Sequence, residues 1–178
     1  RTLLALTNEI CRGKVALAYP LFGTTGAHFL LLRQFWGETK WENWCRALAA
    51  NKPFLVDGNS VVAKLVGSGE AWIGLTDSDD VRAGKREGLP IEGIDPGDSS
   101  FLIRNTVAII RNAPHPEFAQ KLFDYLRSDE VNQKLQAAGA VEGFAARDVS
   151  ITPANIDWGN LLQTQDVAVT KLKEIFLR

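Results

Sequence analysis

The amino-acid sequence predicts an α/β fold, because short apolar segments typical of strands alternate with longer segments of helical periodicity. Three of the apolar segments, residues 15–18, 54–57 and 71–75, are each followed by a polar turn and then by a stretch that begins like a helix. The chain has 178 residues, of which 46% are hydrophobic. This length and composition provide a core for one ordinary domain or for two small lobes.

Composition argues against two classes of function. The net charge is −1, the pI is near 6.2, and no run of Lys and Arg exceeds two residues, so nucleic-acid binding has no electrostatic support. No apolar run reaches the ~18 residues of a membrane span. The sequence begins at Arg1 and contains no methionine, from which we expect a processed or trimmed chain with any export signal upstream.

Residues that start and stop helices define the elements of the first half. Thr39 and Glu42 have the spacing of a capping box, and Ser78 is expected to cap the polar helix that follows the third strand. Gly67 and Gly88 are expected to end helices. The helices predicted here span residues 25–36, 39–50, 59–67 and 78–87.

The second half is divided by the clearest loop of the chain, Asp95–Ser100, which is a cluster of turn-forming residues and the best candidate for a lobe boundary. Strands are predicted on both sides of it, a short one at Ile91–Ile94 and a long one at Leu102–Ile110. The remaining helices are predicted to begin at Pro116, at Ser128 and within Trp158–Phe176.

Three polar turns share one position in this pattern, because each follows an apolar strand and opens a helix. They are Gly23-Thr24-Thr25, Gly58-Asn59-Ser60 and Thr76-Asp77-Ser78. The candidate ligand-binding residues in them are Gly23, Thr24, Thr25, Asn59, Ser60, Thr76 and Asp77. Free backbone N–H groups and the positive end of the helix dipole attract anions at such points, and hydroxyl groups add donors. Since the carboxyl ends of parallel strands line one crevice, the turns together predict an anion site. The alternative is that each turn is only a helix cap.

Asp77, Asp79 and Asp80 form an acidic cluster at the last of these turns, and two interpretations stay open. Carboxylate oxygens are hard ligands that suit a cation, which makes Asp79 and Asp80 candidate metal ligands. Acidic residues at a helix start are also common because they complement the helix dipole.

No catalytic signature is recognisable, so we expect a binding protein that is not an enzyme and requires no cofactor. The two histidines, His28 and His115, have no evident partner in the sequence and are expected to pack or cap. Cys45 lies on the apolar face of a helix and is expected to be a buried free thiol. A Cys11–Cys45 disulfide is the alternative if the protein is exported.

In this order, the motifs resemble the bacterial extracellular solute-binding proteins that feed ABC importers, in the branch called iron(III)-type. The stretches that carry the resemblance, which spans roughly Leu6–Ala138, are residues 13–25, 51–60, 71–80, 105–109 and 113–117. The resemblance implies a type II periplasmic-binding fold, in which two three-layer αβα lobes with mixed sheets close on a ligand.

The resemblance also implies a division of the chain. Residues 1–97 correspond to the second, ligand-binding lobe, 98–143 to a returning segment of the first lobe, and 144–178 to a C-terminal helical tail that packs on the second lobe. Because only the later part of such a protein is matched, we expect the first-lobe segment to expose apolar surface and to favour self-association.

One departure from the family pattern bears on the ligand. In the ferric-binding relatives a pair of tyrosines follows the strand equivalent to residues 71–75 and supplies phenolate ligands. Here Asp79 and Asp80 stand in those positions, and the only tyrosines are Tyr19 and Tyr125. An anionic solute or a metal–anion complex therefore fits better than bare iron, with phosphonates, phosphate esters and carboxylates all open.

The function implied is the substrate-binding component of an ABC importer, located in the periplasm or outside the cell as a soluble or lipid-anchored protein. Its partners would be the solute and a membrane permease. The alternative is a cytoplasmic ligand-sensing domain of a regulator built on the same fold, and an enzyme on this fold is disfavoured.

Overall fold

The computed structural model describes residues 2–142 and 156–177. The chain divides into two compact units, the first comprising Arg1–Ile103 with Ser150–Arg178 and the second comprising Arg104–Val149. The first unit contains the sheet and most of the buried residues. The described part of the second unit contains two helices and the irregular chain before them.

A parallel sheet of three strands forms the centre of the first unit. Strand β1 (Val15–Ala18) lies between β2 (Phe54–Val56) and β3 (Ile73–Leu75). All four residues of β1 are buried, as expected for a central strand covered on both faces. The predicted α/β class is confirmed, whereas the mixed sheet is not seen among the described residues, whose strands all run parallel.

Helices cover both faces of the sheet. Alternate residues of β1 point to opposite faces, so that Val15 and Leu17 join one core cluster while Ala16 joins another with Val62. The helices of this unit are α1 (Gly23–Trp36), α2 (Glu38–Ala50), α3 (Asn59–Gly67), α4 (Ser78–Arg86) and α7 (Trp158–Phe176). The larger cluster includes residues of α1, α2 and α7, and the smaller one includes residues of α3.

Ion pairs as well as apolar packing hold the last helix, α7, against α1 and α2. Lys171 donates to Glu38 and to Glu42 of α2, each at 2.7 Å, and Arg33 of α1 also pairs with Glu38. Leu172 is fully buried in the core cluster shared with α1 and α2. The helix predicted within Trp158–Phe176 is confirmed over that whole range.

The second unit contains α5 (Pro116–Leu126) and α6 (Asp129–Ala137). Pro116 begins α5 and the Ser128 hydroxyl accepts from the Val131 amide at 3.4 Å, which confirms both predicted helix starts. One face of α5 is apolar and exposed: Phe118 is 71% and Leu122 57% exposed.

Several sequence predictions are wrong at the level of single elements. The Leu102–Ile110 segment is not a strand, and residues 104–110 are exposed, because without a neighbouring strand an apolar segment has no ladder to join. Ile91–Ile94 is also irregular. The Ile91 side chain lies over α4, so close to Gly84 that a Cβ there would be 2.7 Å from Ile91 Cδ1.

Two predicted helix caps are also wrong. Helix α2 begins at Glu38, preceded by Gly37 in the left-handed region with φ 78°, so Thr39 lies inside the first turn and cannot form the capping box. Helix α4 begins at Ser78, and the capping position is occupied by Asp77 instead.

Both cysteines are free thiols. Cys45 is fully buried in the core, and burial raises the pKa of its thiol, which keeps it protonated and inert. Among the described residues, no helix combines the length and apolar character that a membrane crossing needs.

Gly74 fixes how closely α3 approaches the sheet. A Cβ at this position of β3 would lie 2.5 Å from Val62 Cγ1 and 3.1 Å from Val66 Cγ2. We therefore expect Gly74→Ala to lower the free energy of unfolding by about 1–3 kcal/mol through overpacking, measured by urea denaturation.

Gly58→Ala is the matched control, because a Cβ there meets nothing within 4 Å and its φ of −162° is open to any residue. It should change stability by less than about 1 kcal/mol, because the lower preference for alanine at this helix cap opposes the gain from restricting the unfolded chain. Equal losses in the two variants would contradict the packing role of Gly74.

Candidate functional site

The three polar turns meet at the carboxyl edge of the sheet. Helices α1, α3 and α4 begin where β1, β2 and β3 have ended, and because the strands are parallel neighbours these helix starts lie on one edge. Hydrogen bonds between the turns show that their side chains are in contact.

Asn59, the first residue of α3, is the centre of this hydrogen-bond network. Its amide oxygen accepts from the Thr25 hydroxyl at 3.0 Å, and its amide nitrogen donates to Thr24 Oγ1 at 3.1 Å and to Asp77 Oδ2 at 2.9 Å. Its backbone carbonyl accepts from the Thr76 hydroxyl at 3.1 Å. One residue thus binds both of the other turns.

A direct contact closes the network. The Thr24 hydroxyl donates to Asp77 Oδ2 at 2.5 Å, the same carboxylate oxygen that accepts from Asn59. Thr25 is buried, while Thr24, Asn59 and Asp77 are half-buried. Charge-assisted bonds to an ionised carboxylate are stronger than neutral ones, which fixes the orientation of the threonine and asparagine side chains.

The remaining two predicted binding residues lie at the margin of this network. Gly23 begins α1 with φ 63°, is exposed, and offers its backbone only. Ser60 is exposed on the first turn of α3, and its hydroxyl has no hydrogen-bond partner within the part of the chain that the structure describes. Hence the structure brings together Thr24, Thr25, Asn59, Thr76 and Asp77, with Ser60 outside their network.

The helix starts at this edge lack side-chain caps. Among the described residues, no side chain caps α1, α3 or α4. The same is true of α2 and α5, which begin elsewhere, whereas Ser128 caps α6 and Asp157 caps α7. Since the first backbone N–H groups of a helix have no partner within it, α1 and α3 present donors and positive dipole ends beside Asn59.

Three carboxylates place negative charge next to these backbone donors. Ligand oxygens of Asp77, Asp79 and Asp80 lie within 4.8 Å of one another. Burial, followed by the charges of Asp79 and Asp77, raises the pKa of Asp80 to about 6. A cation or a hydroxyl donor would relieve this repulsion, so the edge presents an anion-attracting helix start and a cation-attracting cluster side by side.

His28 lies one turn along α1 from Thr24 and has a packing role, as predicted. Its Nε2 is 2.8 Å from the Ser99 carbonyl oxygen, and its ring contacts Phe101 with the centroids 5.4 Å apart. Burial lowers the pKa of His28, opposed by the Ser99 hydrogen bond and by the charge of Asp77. The other histidine, His115, precedes α5, and its side chain makes no capping bond within the described chain.

The central position of Asn59 was not predicted by the sequence, which placed this residue only in the wall of the site. One signal in the sequence could have indicated this role. Asn59 is an amide side chain at the first position of a helix that follows a strand, and an amide has both donor and acceptor groups with which to bond to two other turns.

The chain is similar to known proteins in both sequence and fold. The family model described as bacterial extracellular solute-binding protein matches residues 2–141. Among solved structures, the chain is similar to a Bordetella ferric binding protein with a TM-score of 0.65 and 19% identity, covering 98% of this chain and 62% of that one. No curated protein matches the sequence.

A second solved structure is similar to the chain, that of a two-component system protein that mediates signal transduction. The TM-score is 0.61 and the identity 20%, over 93% of this chain and 61% of that one. The chain thus spans 62% and 61% of the lengths of these two structures. At such identities the similarity concerns the fold, and it confirms the periplasmic-binding type of lobe that the sequence predicted.

The raised pKa of Asp80 leads to a pH-dependent prediction. Because the folded-state pKa lies above the unfolded value of about 4, the folded state holds the proton more tightly, and stability falls as pH rises from about 4 to about 6. Asp80→Asn removes this pH-dependent loss of stability. From pH 4 to pH 7, we expect the free energy of unfolding of the variant to rise by about 1 kcal/mol relative to that of the parent, after discounting for solvent screening of this half-exposed group.

Urea unfolding of both proteins at the two pH values measures this difference. Asp98→Asn serves as a control, because Asp98 is exposed and lies in the Gly97–Ser99 turn, away from the acidic cluster in sequence. If the stability of Asp80→Asn differs from that of the parent by the same amount at both pH values, the pKa of Asp80 is not raised in the folded protein.

Proposed function

Because this chain belongs to the bacterial extracellular solute-binding proteins, we propose that it is the substrate-binding component of an ABC importer. In this role it captures a small anionic solute or a metal–anion complex and delivers it to a membrane permease. Binding without catalysis, and a periplasmic or extracellular location, are part of the proposal and are supported by membership of that family.

The observation that carries the proposal is the joining of three strand-to-helix turns through Asn59. Its hydrogen bonds to Thr24, Thr25 and Asp77 hold the starts of α1 and α3 at one point. Two helix starts without side-chain caps favour an anionic group there, which would accept from the backbone of Gly23, Thr24 and Thr25.

The neighbouring carboxylates restrict which anions are suitable. An isolated anion would be repelled by Asp77, Asp79 and Asp80, which lie beside the same turns. A solute that also carries a cationic or hydroxyl group would bind Asp77 and Thr76 while its anion binds at α1. A metal–anion complex satisfies the same requirement, with Asp79 and Asp80 as metal ligands.

The division of the chain proposed from the resemblance, with a ligand-binding lobe at 1–97, a returning segment at 98–143 and a tail at 144–178, would make this edge one wall of a two-lobe cleft. Closure of two lobes on a solute is how such receptors gate delivery. The exposed apolar face of α5 supports self-association as part of the proposal.

A second candidate function is a ligand-sensing domain of a regulator. The observation in its favour is the similarity of fold to the two-component system protein. The sequence upstream of Arg1 distinguishes the two candidates, since an export signal would exclude the cytoplasmic regulator and a helix-turn-helix segment would support it.

Isothermal titration calorimetry tests the binding site. The panel contains alkylphosphonates with and without a terminal amine, organophosphates, carboxylates and ferric complexes. We expect one class to bind, and expect the double substitution Thr24→Ala with Thr25→Ala to weaken that binding by about tenfold or more, because donors and side-chain anchors of the turn are lost.

Thr170→Ala is the control, since Thr170 is exposed and its hydroxyl donates to the Asp166 carbonyl of its own helix at 2.8 Å. Thermal unfolding of each variant verifies that it is folded. Unchanged affinity in the folded double variant would exclude the Gly23-Thr24-Thr25 turn as the anion site.

A further inference from the structure

The chain that leads out of the first unit is held along α1. Residues 97–103 follow the last loop of this unit and end where the second unit begins, at Arg104. Phe101 stacks on Phe35 of α1 with ring centroids 5.2 Å apart and an interplanar angle of 21°, and it also contacts the ring of His28. Ile103 packs against the same core cluster as α1.

The polar part of this attachment is the bond from His28 to Ser99. A carbonyl oxygen can only accept, so the Nε2 of His28, 2.8 Å away, carries the hydrogen and donates it. Because burial lowers the pKa of His28, the ring is neutral near pH 7 and Nδ1 is left without a proton. The bond therefore fixes the tautomer as well as the position of Ser99.

The same helix carries the polar site. Thr24 lies one turn before His28, and its hydroxyl is bound by Asp77, while Thr25 is bound to Asn59. Helix α1 is fully buried at Phe29, Leu31 and Leu32, and this close packing makes the helix a rigid body. When the first turn of α1 is displaced, His28 is therefore displaced with it.

We propose that His28 is a positioning residue that holds residues 97–103 on α1 and so couples occupancy of the polar site to the segment leading into the second unit. The coupling rests on the proposed function, because it requires a ligand at the start of α1. The anchoring by itself does not.

Hydrogen–deuterium exchange of the protein without ligand tests the anchoring. We expect His28→Ala to accelerate exchange in residues 97–103 by about three- to tenfold, while residues 15–18 of the core strand exchange as in the parent. His28→Gln should retain most of the protection, since its side-chain amide also donates to the Ser99 carbonyl. His115→Ala, which changes an exposed histidine, should have no effect on this segment.

Phe101→Ala provides an independent variant should His28→Ala disturb the fold. It removes the ring that contacts both His28 and Phe35, so the same segment should exchange faster while the core strand is unaffected. Unchanged exchange of residues 97–103 in both variants would overturn the proposal, as would acceleration in His28→Gln equal to that in His28→Ala.

An alkylphosphonate with a terminal amine is the probe for the coupling, because its cation can meet the carboxylates while its anion lies at the start of α1. In the parent protein it should slow exchange in residues 23–28 and also in 97–103, whereas in His28→Ala it should slow only the former. Equal slowing of both segments in His28→Ala refutes the coupling. If the phosphonate slows neither segment in the parent, the proposed site fails for this ligand and the coupling is rejected for it, while the ligand-free experiment still decides the anchoring.

Discussion

The side-chain amide of Asn59 is the group on which the site depends. Acting as donor and acceptor, it bonds to Thr24, Thr25 and Asp77, and thereby joins the turns that follow all three strands. An aspartate at this position would keep the acceptor but lose the donor to Asp77, and an alanine would lose both. Loss of a buried or half-buried partner leaves polar groups unpaired, which is why this one residue affects the whole edge.

The core places Asn59 within reach of the other turns. Small residues line the face of the sheet beneath α3, where Ala16 and Gly74 allow Val62 to pack closely. On the opposite face, Val15 and Leu17 pack in the larger core cluster, beneath α1, α2 and α7. This difference in side-chain size brings α3 against the sheet so that its first residue meets the start of α1. Packing on one face therefore determines polar contacts at the edge.

Much of this arrangement could be predicted from local signals. Each strand and the turn after it are defined by neighbouring residues, and parallel pairing then puts the turns on one edge, so Thr24, Thr25, Asn59, Thr76 and Asp77 were all expected there. What the sequence could not predict depends on distant partners. Leu102–Ile110 has the composition of a strand but no strand beside it, and Thr39 lost its capping role because Gly37 adopts a left-handed conformation that lets α2 begin one residue earlier.

The central claim is that the start of α1, beside Asn59, is a binding point for an anionic group. Amide chemical shifts of the ¹⁵N-labelled protein, titrated with the tightest-binding member of the anion panel, test it most directly. We predict that the shifts are concentrated at Thr24, Thr25 and the side-chain amide of Asn59, with little change at the starts of α6 and α7, which Ser128 and Asp157 cap. Equal shifts at those capped helix starts, or none at α1, would contradict it.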